Sequence, residues 1–190
     1  MNAYAPGYVT DWGAHFLDVA QWGAGKDETS PVEIVASEVK RREKGIYDAP
    51  ESFRIEYRYE KGPRVVMFST TDASKWGVKF IGSEGWVFSE NDKLESGPAN
   101  LRTVKFKDSD ERLFVSNNHH RNFIDAVLSR GRTAAPAESA HRAATFCHLG
   151  TIAAALGRGV KYDPVTETFP GDADAMALHT RKLRGPWTLE

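Results

Sequence analysis

Apolar positions along the chain change period twice. From Thr10-Asp11 onward, Trp12, Phe16, Val19, Ala20 and Gly23 recur on one side at about 100° per residue, which predicts an amphipathic helix ending near Gly23-Ala24-Gly25. Thr10 or Asp11 supplies its cap, because a short side-chain oxygen can accept the unpaired amides of the first turn. The middle of the chain turns to alternation. Segments 32–39, 53–59 and 64–70 are rich in β-branched and aromatic residues. Phe53-Arg54-Ile55-Glu56-Tyr57-Arg58-Tyr59 alternates strictly, as a strand with one buried face should. Lys61-Gly62-Pro63 predicts a hairpin between the second and third of these runs. Further strands are predicted at 78–81, 85–89 and 101–106, the first two joined by the turn Gly82-Ser83-Glu84-Gly85. Helical spacing then returns. Asn117 or Asn118 caps a segment with the apolar stripe Phe123, Ile124, Val127 and Leu128, stopped by Gly131. Pro136 opens a longer helix whose Phe146, Leu149, Ile152 and Leu156 face inward, stopped by Gly157 and Gly159. Segment 163–190 is polar with scattered aromatics and is expected to wrap over the surface.

A helix, a block of strands and then helices predict an α+β domain: one open, mostly antiparallel sheet with helices packed on one face. The strands do not alternate with helices, so a doubly wound parallel sheet fits poorly. The chain has 190 residues, of which 41% are hydrophobic and 27% charged, as in a soluble globular domain. Lys plus Arg total 25 against 26 Asp plus Glu, leaving no basic field to draw in a phosphate backbone. No apolar run approaches the roughly 20 residues that span a bilayer, and the first residues lack the pattern of a secretory signal. Neither nucleic acid nor membrane is an expected partner. Cys147 is the only cysteine, so no intrachain disulfide forms and cysteine usage leaves the compartment unread.

Asp11 and His15 stand four apart at the start of the first helix and project from one face, with Asp18 and Trp22 extending the stripe. A carboxylate beside an imidazole fixes the ring's tautomer and raises its affinity for a proton, as a general base requires. The plainer alternative, in which Asp11 caps and His15 packs, is the commoner outcome for such a spacing, and both stay open. His119-His120 opens another helix, where an anion or polar substrate could be met, or only solvent. His141 and His148 lie two turns apart on the long helix, but Cys147 points elsewhere, so no metal site is expected. Gly23-Ala24-Gly25 and Gly157-Arg158-Gly159 read as helix stops, since neither follows a strand and opens a helix. A cofactor cradle is not evident.

Taken in order, several motifs resemble the C-terminal domain of the Gfo/Idh/MocA family, the relatives of glucose–fructose oxidoreductase and inositol dehydrogenase. They are Val9-Thr10-Asp11-Trp12-Gly13-Ala14-His15-Phe16-Leu17-Asp18, Lys79-Phe80-Ile81-Gly82-Ser83-Glu84-Gly85-Trp86, His120-Arg121-Asn122-Phe123-Ile124-Asp125, the stretch 136–158, Tyr162-Asp163-Pro164 and Arg184-Gly185-Pro186-Trp187. The likeness covers the chain from about Tyr4, which is read as one domain over 1–190. It implies a catalytic pair in which His15 takes a hydroxyl proton while hydride leaves for NAD or NADP, with Asp11 orienting or sharing that proton. Trp12 and His120 would line the pocket of a carbohydrate or polyol substrate. The resemblance also implies that the cofactor binds an N-terminal Rossmann half absent from this sequence, so the chain alone should neither bind NAD(P) nor transfer hydride. A truncated product, a separately encoded half and a cloned domain are all consistent with that departure. The expected location is the cytoplasm, although the missing half could carry an export signal. Large residues on both faces of the strands (Phe53, Tyr57 and Tyr59, then Val66, Phe68, Trp76, Phe80, Trp86 and Phe88), together with the family's habit of pairing open sheets, predict a homodimer or a tetramer of dimers. Two alternatives remain: a non-catalytic carbohydrate-binding or dimerisation module, and an enzyme that uses the cofactor transiently for hydrolysis or elimination.

Overall fold

In the computed structural model, which describes residues 4–90, 93–110, 112–181 and 183–188, the alternation read at 53–59 becomes strand β2 (Ser52–Arg58). Phe53, Ile55 and Tyr57 are buried, and the residues between them turn to the opposite face. Strand β1 (Glu33–Lys40) and strand β3 (Arg64–Phe68) flank β2 antiparallel, and the short β7 (Val160–Lys161) pairs with the outer edge of β1. The registers Ile34↔Tyr57 and Tyr57↔Val65 align apolar residues across the sheet on one face.

That face is covered by helix α3 (Ala137–Leu156), whose Phe146, Leu149 and Ile152 are buried as predicted. Phe146 meets Tyr57 edge-on, with ring centroids 4.5 Å apart. The helix comes so close at Gly150 that a Cβ there would overlap Tyr57 Oη. Helix α1 (Asp11–Gly23) lies on α3 and the sheet edge: a Cβ on Gly13 would stand 3.1 Å from Met67 Cε and 3.5 Å from Cys147 Sγ. The core is therefore one layer of helix on one face of the four-stranded sheet.

Strands β4 (Val78–Gly82), β5 (Gly85–Glu90) and β6 (Lys93–Gly97) form a second antiparallel sheet. The α+β class holds, with the strands divided between two hydrogen-bonded sheets. The predicted strand at 101–106 is not one: a 3-10 turn occupies Ala99–Thr103, with the Leu101 amide donating to the Pro98 carbonyl. The second edge of β5 pairs with β6, whose Lys-Leu-Glu-Ser-Gly sequence carries little apolar signal.

Three helical expectations also change. The buried residues of α1 are Gly13, Leu17, Ala20 and Gln21, while Trp12 is exposed and Phe16 and Val19 are half-buried. Thr10 makes no side-chain cap; its hydroxyl donates back to the Gly7 carbonyl at 3.2 Å. Helix α2 (His119–Ser129) is capped by Asn118, which accepts from the Arg121 amide at 2.9 Å, but the helix ends at Ser129 with Arg130 left-handed, one residue before Gly131. Its apolar stripe is exposed at Phe123, Ile124, Val127 and Leu128, and only Ala126 of this helix is buried.

The segment after 163 does more than wrap. Phe169 is buried, and Asp172 caps helix α4 (Ala173–His179) by accepting from the Ala175 amide at 3.0 Å. No helix among the described residues is long and apolar enough to cross a membrane.

Candidate functional site

Helix α1 presents Asp11 and His15 to solvent from its first two turns. Asp11 sits where the unpaired amides of the helix N-terminus favour a negative charge. One turn on, the His15 ring lies 5.7 Å from the Trp12 ring. Trp12 stacks on Phe16 at 5.7 Å and meets Trp76 at 5.5 Å, so His15 stands at the rim of an aromatic patch. Trp76 arrives from the link between β3 and β4 and is held by its indole N–H, which donates to the Thr70 carbonyl at 3.3 Å.

The two members of the pair share a helix face but make no hydrogen bond to each other among the described residues. Three residues beyond His15, Asp18 is the perturbed carboxylate of this helix. Burial pushes the Asp18 carboxyl up, the Asp27 charge adds to this, and His15 pulls the other way.

His120, at the start of α2, is exposed. Among the described residues its one ring contact is with His119, at 6.4 Å. No hydrogen bond, ion pair or ring contact among the described residues joins it to α1. Of the four residues read as site candidates, Trp12 and His15 are in contact, Asp11 shares their helix, and His120 stands apart.

Two of the other histidines have structural partners: the His179 ring lies 6.2 Å from the Phe169 ring, and His141 pairs with Glu167 at 2.9 Å. His148 is lowered from the usual imidazole value by burial and then by the Arg181 charge. Burial pushes the Cys147 thiol up to about 12, so it is an inert core group. No group of three or more His, Cys, Asp or Glu among the described residues is placed to hold a metal ion.

The family model described as the oxidoreductase family, C-terminal alpha/beta domain, of Gfo/Idh/MocA type matches residues 2–189. The chain belongs to this family. No curated protein matches it. An oxidoreductase from Agrobacterium radiobacter, solved with NAD+, L-tartaric acid and magnesium, is 18% identical with a TM-score of 0.52, over 85% of this chain and 53% of that one. An NAD-binding protein from Listeria innocua is 15% identical with a TM-score of 0.54, over 82% of this chain and 47% of that one. Both likenesses are of fold. The chain spans about half the length of each, at 53% and 47%.

A nicotinamide cofactor is ordinarily held by a strand, a glycine-rich turn and a helix N-terminus in succession, within a parallel sheet. Every strand pairing among the described residues of this Gfo/Idh/MocA domain is antiparallel. Gly23 and Gly25 close α1, and Gly157 closes α3 in the left-handed conformation before Gly159 leads into β7. The residues present do not fit that cofactor.

Proposed function

We propose that this domain is the substrate-binding half of an NAD(P)-dependent oxidoreductase acting on a sugar or polyol. The observation that carries the reading is the exposed placement of Asp11 and His15 on α1, beside the aromatic patch of Trp12, Phe16 and Trp76. In this reading His15 accepts the proton of a substrate hydroxyl. Asp11, one turn before it on the same helix, orients the ring or shares that proton. Trp12 walls the site, and His120 reaches it by a contact of α2 made in the assembled enzyme. Hydride transfer is assigned to a nucleotide-binding half, because the described residues of this domain pair their strands only antiparallel and form no nicotinamide cradle.

The test supplies a nucleotide-binding domain of the family in trans and follows polyol-dependent reduction of NAD+. His15→Gln should lower turnover by about 10²–10⁴-fold, the usual contribution of a positioned general base. Turnover unchanged by that substitution would contradict the assignment.

A second reading is supported by the misfit to the cofactor: a carbohydrate-binding or dimerisation module that no longer catalyses. It predicts sugar affinity in the isolated chain and no activity in the reconstituted pair. For either reading we propose self-association through the open face of the four-stranded sheet. Of the large strand residues, Phe53, Tyr57, Tyr59 and Phe88 are buried within the chain, and Phe68 and Trp76 are exposed.

A further inference from the structure

The exposed link from β3 to β4, residues 70–77, is built around one side chain. Asp72 accepts from the Ser74 amide at 3.1 Å and from the Ser74 hydroxyl at 2.6 Å, and it pairs with Lys75 at 3.3 Å. Its own amide donates to Thr70 Oγ1 at 3.0 Å. These bonds hold Ala73–Lys75 in a single 3-10 turn, which the Trp76 amide closes on the Ala73 carbonyl at 3.2 Å. On the other side Gly77 sits at φ 141° and runs close against β5. A Cβ there would stand 2.6 Å from the Ser89 carbonyl oxygen and 2.8 Å from Phe88 Cζ. The backbone of Trp76 is therefore fixed from both directions.

Its side chain is fixed as well. The indole N–H donates to the Thr70 carbonyl at 3.3 Å, and the ring meets Trp12 at 5.5 Å with 53° between their planes. That contact with α1 sets Trp76 on the helix side of the molecule, away from the open face of the four-stranded sheet. Trp76 nevertheless keeps 38% of its surface exposed, and Trp12 keeps 41%.

A tryptophan can offer a ligand its N–H donor or its aromatic face. Here the donor is engaged by the Thr70 carbonyl, so the face is what remains. An aromatic face is the negative part of the ring quadrupole and attracts weakly positive C–H groups. A closed saturated ring bearing hydroxyls gathers such C–H groups on one side and keeps its oxygens at the rim. An open-chain polyol turns them in several directions and loses rotamer freedom when it aligns them. Trp12 is in contact with both Trp76 and His15, which puts the stacking face and the proposed base in one patch.

We propose that Trp76 is a specificity-determining residue of this site, stacking on the C–H face of a ring-closed carbohydrate and so favouring it over an open-chain polyol. The inference rests on the α1 reading and narrows its substrate class.

The test follows the Trp76 indole and His15 ring resonances of the 190-residue chain. Myo-inositol and methyl glucopyranoside serve as ring probes, and mannitol and sorbitol as open-chain probes. The ring probes should bind about tenfold more tightly, the effect of one aromatic stacking contact, and should move both residues. Trp76→Leu keeps an apolar side chain without an aromatic face, so it should abolish that preference and leave open-chain binding unchanged. Trp76→Phe lacks the N–H but keeps a face, so it should retain most of the preference. In the wild-type chain, nuclear Overhauser contacts between the Trp76 ring and the C–H protons of a bound ring probe report the stacking without any substitution. Equal affinity for ring and open-chain probes, a preference that survives Trp76→Leu, or equal loss in the Leu and Phe variants would overturn the role of Trp76. So would the absence of those Overhauser contacts. A His15 shift that persists in any of these cases leaves the α1 reading standing, whereas probes that move neither residue would overturn both.

Discussion

Asp172 accepts two hydrogen bonds from Arg158, at 2.6 and 2.7 Å, and a third from the Ala175 amide at the start of α4. The Arg158 contact is the largest reason its carboxyl is held down at about 2. A carboxyl depressed on folding stabilises the fold above its unfolded value near 3.8, and that stabilisation is lost as pH falls toward 2. Asp172→Asn keeps a capping oxygen but loses the charge, so its thermal midpoint should lie below wild type at pH 6 and converge with it near pH 2. Parallel pH profiles for the two proteins would contradict this. None of it was legible in a segment read only as polar, because Arg158 and Asp172 are joined by a fold in which α3, β7 and a buried Phe169 turn the chain back. Asp11 and His15 were legible because their relation is one helical turn. Trp76 was not, since its place beside Trp12 depends on where the β3–β4 link crosses α1.

At the scale of elements, α3 and β2 fit through one contact that the 3.6-residue period cannot reveal. Gly150 leaves room for the Tyr57 hydroxyl, which is fully buried and has no hydrogen-bond partner among the described residues. Gly150→Ala should destabilise the fold by about 1–3 kcal/mol, as overpacking of a rigid interior does, despite the helix propensity of alanine. Tyr57→Phe should be close to neutral or stabilising, because it removes a buried hydroxyl that gains nothing. The double variant should recover most of the alanine penalty, giving a favourable coupling in chemical denaturation. Additive effects would show that the close approach is not the cause. The α3 stripe and the β2 alternation were readable because both bury against each other. The α2 stripe has the same local pattern, yet Phe123, Ile124, Val127 and Leu128 remain exposed, since periodicity reports an apolar face and not what covers it. Strand β6 was hidden for the opposite reason: Trp86, Val87 and Phe88 of its partner β5 carry the apolar signal that Lys93–Gly97 lacks.

Over the whole molecule, order and type of elements gave the α+β class and the six ordered motifs gave the family, while the division into two sheets depends on which strand edges are left free. The proposed association through the open sheet face predicts at least twice the chain mass of 21.1 kDa by light scattering at micromolar concentration. A clean monomer would show that the charged network of Glu33, Glu56, Arg58 and Arg64 keeps that face adequately solvated. We propose that the outer face of α1 is a polyol site in a domain whose described residues form no nicotinamide cradle. Histidine- and tryptophan-detected NMR of the isolated chain, titrated in parallel with a panel of sugars and polyols and with NADH, tests it most directly. The prediction is a saturable movement of the His15 and Trp12 resonances with at least one polyol, with His141 and His179 still, and no response to NADH. Micromolar NADH binding, or a panel that leaves His15 and Trp12 unmoved, would contradict it.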